Sequence, residues 1–248
     1  MTAFSFEASP VEVRANLQES FRDTWAWVSQ PGNWWRADQR VEIAAEVRNA
    51  TSCSLCKERK EALSPSMVQG EHDRVGSELP AAAVDAVHRL ITDATRLSKG
   101  WLEKLNADGL SNELYVELLG VTVCIHSIDR FHWAMGFPAE PLPAPTAGEP
   151  SGYRPASAKL DVAWVPMIPT NKATGEEADL WDGARSANVI RAMSLVPDCV
   201  RQLKKLSTTM YLPMHQVPDV TAPVDKAMSR AQMELVAGRV SAMNECFY

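Results

Sequence analysis

Stretches with an apolar residue every three or four positions make up most of the chain, and short stretches rich in proline, glycine and helix-capping residues separate them. An apolar period of three to four residues predicts amphipathic helices. No stretch shows the sustained alternation of apolar and polar residues that is typical of half-buried strands. The sequence therefore predicts an all-α fold.

Four long helices are predicted in the first 137 residues, and a shorter one begins around Cys53. The long helices cover residues 13–28, residues 38–49 with Asp38 as the N-cap, residues 80–105, and residues 111–136 with Ser111 as the N-cap. The last of these is apolar on nearly every side, so we expect it to occupy the centre of the fold.

A proline-rich arm follows, because eight of the sixteen prolines lie between Pro138 and Pro169. The predicted organisation is a first helical repeat (residues 1–137), the connecting arm (residues 138–178) and a second helical repeat (residues 179–248). In the second repeat we expect two short helices, with Pro197 in the first turn of the later one. A third helix, with a capping box at Ser229 and Gln232, has Val236, Val240 and Met243 on its buried face. In a chain that ends at Tyr248 we expect this apolar face to lack its usual partner and to be buried against another subunit.

Composition narrows the possible partners. The hydrophobic content of 46% is ordinary for a folded protein, and the net charge of −6 comes without any concentrated basic patch. Nucleic acids and anionic membranes are therefore not expected as partners. The N-terminus does not resemble a signal peptide and no apolar stretch is long enough to span a membrane, so we expect a cytoplasmic protein.

The pair Cys53-x-x-Cys56 is the main candidate for chemistry, because such a pair in a reducing compartment indicates redox or metal chemistry. Backbone N–H groups at a helix N-terminus capped by Ser52 stabilise a thiolate. Lys60 lies one turn after Cys56, where its charge lowers the pKa of the thiol.

Glutamates and histidines complete this candidate site. Glu42 or Glu46 of the preceding helix can accept or relay a proton. Tetrahedral zinc is disfavoured because it needs two further ligands at a suitable spacing, and the histidines form no second pair: His72, His88, His126 and His132. We accordingly predict no metal and no cofactor. His72 is an alternative proton relay, although its polar turn predicts that it faces solvent.

The segments that lead into Cys53 and Cys246 are similar to each other. In each, a glutamate, an apolar run and a polar break precede the cysteine, with Glu42 eleven positions before Cys53 and Glu234 twelve positions before Cys246. This similarity predicts an internal repeat of one helical unit.

These motifs resemble the alkyl hydroperoxidase D-like, or carboxymuconolactone decarboxylase, superfamily. Its core motif is a glutamate, eleven intervening residues, Cys-x-x-Cys, three more residues and a histidine. Glu234 and Cys246 have this spacing, and their surroundings, together with residues 191–197, look like the peroxidase-related branch. The segment 108–113 is similar to the one that follows the motif in the superfamily.

The resemblance implies an oligomeric oxidoreductase that reduces hydrogen peroxide or organic hydroperoxides. In the family the second cysteine attacks the peroxide, the first resolves the sulfenate as a disulfide, and glutamate and histidine relay the proton. The partners implied are a peroxide, a thiol reductant and further copies of the chain. The candidate catalytic residues are Cys53, Cys56, Cys246, Glu234, Glu42 and Lys60, which stands where the family has histidine.

Two alternatives to a peroxidase remain open at this stage. One is a decarboxylase-type lyase of the same superfamily, and the other is a non-catalytic assembly or binding protein with decayed motifs. In the second motif the sequence ends before the second cysteine position. Some members of the peroxidase-related branch carry selenocysteine there, encoded by UGA, so we expect the natural protein to continue past Tyr248 with selenocysteine and a histidine. A genuine C-terminus or an incomplete sequence is the alternative.

Overall fold

The computed structural model describes residues 4–76, 78–181, 186–224, 227–244 and 246. Within them the chain forms helices and no β-sheet, which confirms the all-α prediction. The α-helices of the described residues are Ala15–Val28 (α1), Ala37–Asn49 (α2), Ser54–Glu61 (α3), Ala81–Thr92 (α4), Lys99–Ala107 (α5), Asn112–Ala134 (α6), Asn188–Arg191 (α7), Pro197–Met210 (α8) and Arg230–Met243 (α9).

Helix α6 is the central element, as predicted, and it packs against α2, α4 and α8. The Ser111 hydroxyl accepts a hydrogen bond from the Leu114 N–H and caps the helix, which confirms the predicted N-cap. Leu118, Ile125 and Ile128 of α6 are completely buried. Although α6 has 23 residues, none of the helices in the described part of the chain is both long and apolar enough to cross a membrane.

A buried ion pair joins α2 to α6. Arg40 Nε lies 3.5 Å from Glu117 Oε1, and both side chains are only 1% exposed. Arg40 Nη1 also donates to the Gln30 carbonyl at 2.8 Å, while Glu117 Oε2 accepts from the Trp34 N–H at 2.6 Å. Gly32 passes so close that a Cβ atom there would lie 1.6 Å from Glu117 Oε1. Removing either charge would strand the other in the interior.

The proline-rich arm contains no helix between residues 138 and 169, but it packs against the helices. The Thr146 N–H donates to the Ser29 carbonyl at 2.8 Å, and the Ser151 N–H donates to the Gly32 carbonyl at 3.1 Å. Beyond the arm, α8 packs against α1 and α6, so residues on both sides of the arm share one hydrophobic core. The division into two repeats stays a prediction.

The predicted helix 80–105 is wrong, because the chain forms α4 and α5 with a break at Asp93. Asp93 has φ −148°, and its carboxylate accepts hydrogen bonds from the side chains of Arg89 and Arg96. Ser98 then caps α5 with its hydroxyl. The apolar period continues through this region. The local hydrogen bonds of Asp93 and Ser98 interrupt the helix but leave the apolar period of the sequence unchanged.

Two predicted caps are also wrong. The N-cap of α2 is Arg36 rather than Asp38, whose carboxylate instead accepts from the Arg36 guanidinium at 2.7 Å. The N-cap of α3 is Cys53, because the Ser52 hydroxyl donates back to the Asn49 carbonyl at 2.9 Å.

Helix α9 begins with the predicted capping box of Ser229 and Gln232. The face formed by Val236, Val240 and Met243, predicted to be buried, is 53%, 50% and 69% exposed in the single chain. In the single chain this face has no partner, because no other described element packs over this side of the helix. Its burial against another subunit stays a prediction.

Candidate metal centre

Two cysteines and two histidines meet where α2, α3, α4 and the loop formed by residues 62–76 and 78–80 come together. Cys53 is the N-cap of α3, and Cys56 lies in the first turn of the same helix. Residues three positions apart lie on one face of a helix, so both sulfur atoms are on the same side of this turn. His72 comes from the loop, and His88 comes from the buried face of α4.

The distances between these four side chains suit a tetrahedral metal ion. Their ligand atoms all lie within 4.8 Å of one another. His72 Nδ1 lies 3.5 Å from each sulfur atom, and His88 Nδ1 lies 3.4 Å from Cys56 Sγ. Around tetrahedral zinc, with Zn–S about 2.3 Å and Zn–N about 2.0 Å, neighbouring sulfur and nitrogen ligands lie about 3.5 Å apart.

The cluster is closed to solvent. Cys53 and His88 are completely buried, Cys56 is 4% exposed, and the His72 side chain is 7% exposed. Two thiolates and two imidazoles form a ligand set that suits zinc. Four protein ligands leave no coordination position for a substrate, so this geometry is that of a structural site rather than a hydrolytic one.

Each histidine contacts a carboxylate through its second ring nitrogen. His88 Nε2 lies 2.9 Å from Glu46 Oε2, and His72 Nε2 lies 3.0 Å from Asp85 Oδ1. A carboxylate at Nε2 holds the proton there and leaves the Nδ1 lone pair directed at the position between the sulfur atoms. The pair of carboxylates therefore sets the tautomer that metal binding requires.

Glu46 is buried and fully hydrogen-bonded. Besides the contact with His88, it accepts from the Val75 N–H at 2.9 Å and from Asn49 Nδ2 at 3.1 Å. Burial raises the pKa of Glu46, but the hydrogen bonds from His88 and Val75 outweigh burial and lower the pKa. Glu46 is thus an ionised carboxylate that connects α2 to both α4 and the loop.

Asp73 holds the loop against the start of α3 and thereby positions His72. The Asp73 carboxylate accepts from the Ser54 N–H at 2.7 Å, which satisfies an otherwise unpaired group of the first helical turn. The Asp73 carbonyl accepts from Asn49 Nδ2 at 2.5 Å. These bonds fix the loop at the residue that directly follows its histidine.

Asp85 orients His72 within a small network of its own. Its carboxylate accepts from Arg59 Nη1 at 3.0 Å and from Trp101 Nε1 at 3.0 Å. Burial raises the pKa of Asp85, but the hydrogen bonds from His72, Trp101 and Arg59 hold the pKa well below its usual range.

The electrostatics of the metal-free cluster favour a positive charge between the sulfur atoms. Burial lowers the pKa of His72, yet the hydrogen bonds to Asp85 and the sulfur atoms outweigh burial and raise the pKa to about 10. Burial raises the pKa of Cys53, but hydrogen bonds from the Cys56 N–H and His72 lower it. An imidazolium and a thiolate therefore stabilise each other, and a bound dication would replace that positive charge.

His88 remains in the form that binds a metal. Burial lowers its pKa, the hydrogen bond to Glu46 raises it, and the charge of His72 lowers it again, so that the net shift is downward. The neutral imidazole is the form that ligates metals.

Of the residues predicted for catalysis, the structure brings only Cys53 and Cys56 together. Glu42 lies outside the cluster, because its carboxylate accepts from the backbone N–H of Glu78 at 2.9 Å. Lys60 is exposed on α3, so the groups that contact Cys56 are histidines rather than this lysine.

The second motif lies apart from the cluster. Glu234 accepts hydrogen bonds from Arg230 Nε at 2.6 Å and from the Tyr211 hydroxyl at 2.5 Å, and its side chain is 41% exposed. Cys246 is also exposed. The structure thus assigns Glu234 to a polar contact between α8 and α9.

The two histidines are the site residues that sequence reasoning missed. The expectation that His72 faces solvent is wrong, and the argument that zinc lacks two further ligands does not hold. The sequence does carry a signal for His88: its spacing from Val84 and Val87 places this histidine on the buried face of α4. For His72 no local pattern gives the position, since the contacts of Asp73 with other elements determine it.

Comparison with known proteins assigns no family to this chain. No protein-family model, curated protein or solved structure matches this chain. The resemblance to the alkyl hydroperoxidase D-like superfamily therefore stays a prediction.

Proposed function

We propose that the chain is a zinc-binding helical protein in which Cys53, Cys56, His72 and His88 hold one structural zinc ion. The observation that carries this proposal is the convergence of their four ligand atoms within 4.8 Å, with a carboxylate on the second nitrogen of each histidine. The zinc ion would be held by two thiolates and two Nδ1 atoms, and Glu46 and Asp85 would orient the imidazoles.

The packing around α3 gives the zinc ion a structural role. Cys53, Leu55 and Cys56 form a small hydrophobic cluster with Val68, separate from the main core of the protein. So small an apolar contact contributes little to holding α3 and the loop against α2 and α4. A metal ion that links α3, the loop and α4 would supply this stability, as zinc does in small domains.

Zinc affinity in a histidine variant tests the assignment. We expect His72→Ala to lower the affinity for zinc strongly, measured by competition with a chromophoric chelator under reducing conditions. His126→Ala is the matched control, because His126 is a partly buried histidine of α6 outside the cluster. Equal affinities of the two variants and the parent protein would remove the basis of the proposal.

A second candidate is the thiol peroxidase that the sequence resemblance implies. The observation in its favour is the chain from Cys56 Sγ through the His88 ring to Glu46, with distances of 3.4 and 2.9 Å. A thiol, an imidazole and a carboxylate in this order can activate a nucleophile. His88 would take the proton of the Cys56 thiol, and the thiolate would attack one peroxide oxygen and break the O–O bond. The hydroxide or alkoxide released would take up the proton from His88, leaving Cys56 as a sulfenic acid. Cys53 would then displace water from the sulfenic acid and form the disulfide.

Peroxide kinetics separate the two candidates. Under the zinc proposal, the zinc-loaded protein reacts with hydrogen peroxide no faster than its Cys53→Ser, Cys56→Ser double variant. Under the peroxidase proposal, the reduced metal-free protein forms a Cys53–Cys56 disulfide rapidly, and dithiothreitol supports continuous consumption of peroxide. Stopped-flow measurement with hydrogen peroxide and cumene hydroperoxide, together with mass spectrometry of the disulfide, distinguishes these outcomes.

A further inference from the structure

A cavity of ≈ 480 Å³ lies beside the candidate metal centre, between the loop residues 65–74, α4 and α5. This volume falls within the range that is typical of small-molecule sites. Its apolar lining consists of Pro65, Val68, Ala81, Ala82, Val84, Trp101 and Leu105. The cavity is therefore large and apolar enough to receive the body of a small organic molecule.

Charged groups at the same cavity favour an anion. Four cationic side chains line it, namely Arg59, Arg74, Arg89 and Lys104. Three carboxylates line it as well, namely Glu71, Asp85 and Asp108. Counted without His72, the lining thus carries one excess positive charge, in a protein whose net charge is −6. A local positive charge in an acidic protein attracts anions to that position.

Two of the four cations have capacity for a further partner. Arg74 donates to the Leu79 carbonyl, and its guanidinium contacts no carboxylate in the described part of the chain. Arg89 Nη2 lies 3.2 Å from Asp93, whereas its buried Nε has no hydrogen-bond partner among the described residues. The Arg89 guanidinium also lies 5.5 Å from the centre of the Trp101 ring. A guanidinium next to an aromatic wall suits a molecule with an anionic head and a flat apolar body.

The other two cations are already paired. Arg59 lies 3.0 Å from Asp85, and Lys104 lies 2.5 Å from Asp108. The Lys104 pair is exposed, so it is weak and can exchange its partner at little cost. The Arg59 pair is more buried and belongs to the network that orients His72.

We propose that this cavity binds a small organic anion, with Arg74 and Arg89 holding the anionic head and Trp101 and Leu105 contacting the apolar body. The ligand class is an aromatic carboxylate or an aromatic phosphate ester. Arg74, Arg89 and Lys104 are not candidate metal ligands, so the proposal does not depend on the identity of the metal.

Calorimetry with 2-naphthoate tests the proposal, with 2-naphthamide as the neutral isostere and 2-naphthyl phosphate as the alternative anion. We expect one molecule of 2-naphthoate or 2-naphthyl phosphate to bind per chain. The better of the two should bind about tenfold or more tightly than 2-naphthamide, because a hydrogen bond to a charged group contributes roughly this factor. The ratio between the two anions identifies the head group.

Paired variants locate the site. Arg74→Gln should weaken anion binding about tenfold. Arg239→Gln is the control and should leave anion binding unchanged, because Arg239 is an exposed arginine of α9 outside the cavity. Lys104→Gln should weaken binding about threefold. Lys99→Gln is its matched control, because Lys99 is on the same helix in an equally spaced, exposed ion pair but does not line the cavity.

Three results would overturn the proposal: no saturable binding of either anion, equal affinity for the anions and the amide, or equal effects of each variant and its control. The zinc content of every sample is measured alongside. Loss of anion binding at full zinc occupancy then counts against this cavity alone, and lack of zinc with intact anion binding counts against the metal centre alone.

Discussion

The motif at Cys53 and Cys56 and the motif at Glu234 and Cys246 are similar in sequence but different in their surroundings. At the first motif both cysteines are buried and two histidines contact them. At the second, the glutamate pairs with neighbouring side chains and Cys246 is exposed. Similar local sequence has therefore produced a closed cluster in one place and a solvent-exposed helix in the other.

The difference comes from residues far from either motif in sequence. His72 and His88 reach the first motif because Asp73 fixes the loop to α3 and because Glu46 contacts α4. Helix α9 precedes Cys246 as α2 precedes Cys53, but apolar residues of α9 face solvent in the single chain. A Cys-x-x-Cys pair thus becomes a candidate metal centre through long-range contacts rather than through its own spacing.

The largest expected effect is on the free energy of unfolding, which should fall in Cys56→Ser but not in Cys246→Ser. Cys56→Ser should abolish stoichiometric zinc binding and lower the free energy of unfolding by about 3 kcal/mol or more, since a ligand at a thousand times its Kd contributes about 4 kcal/mol. Cys246→Ser should change neither quantity. Urea unfolding in the presence of free zinc, with zinc analysis of the same samples, measures both. Equal destabilisation by the two substitutions would contradict a special role for the first motif.

A smaller effect, on the affinity for zinc, is expected when Glu46→Gln is compared with Glu234→Gln. Glu46→Gln keeps the shape of the side chain but removes the charge that holds the Nε2 proton of His88. We expect the affinity for zinc to fall about 10- to 100-fold, which is typical when a carboxylate behind a metal-bound histidine is lost. Glu234→Gln should leave zinc affinity unchanged, because Glu234 contacts Arg230 and Tyr211 instead. An unchanged affinity in Glu46→Gln would exclude the proposed function of this carboxylate.

The smallest expected effect on folding concerns the exposed side of α9. Val236→Ser should change the free energy of unfolding of the single chain by no more than about 0.5 kcal/mol, because the side chain is 53% exposed. If this face packs against a second copy, as the predicted homo-oligomer requires, the same substitution should weaken self-association. Sedimentation equilibrium measures the second effect, and identical association of Val236→Ser and the parent protein would argue against α9 as the contact.

Much of the fold could be predicted from the sequence. Apolar periodicity located α1, α2 and α6, and capping residues located the starts of α6 and α9. The break between α4 and α5 escaped prediction, because the side chain of Asp93 competes with the helix without altering the apolar pattern. Helix boundaries depend on such hydrogen bonds more than on periodicity.

The candidate site was predicted only in part. The cysteines were identified, and Glu46 was one of two glutamates considered, but the preferred one, Glu42, contacts the loop backbone instead. The exclusion of zinc assumed that the other two ligands would be recognisable by their spacing. His72 and His88 lie sixteen positions apart on a loop and a helix, and only the tertiary structure brings their Nδ1 atoms to the sulfur atoms.

The most direct test of the zinc proposal is to measure the metal content of the reduced, purified protein and then the absorption spectrum after replacement by Co²⁺. We predict one zinc ion per chain, and a cobalt spectrum with the intense visible bands of a tetrahedral ion and the near-ultraviolet charge-transfer bands of two thiolate ligands. A protein that is folded and reduced but binds no zinc, or a cobalt form without thiolate bands, would contradict the assignment of Cys53, Cys56, His72 and His88 as a metal centre.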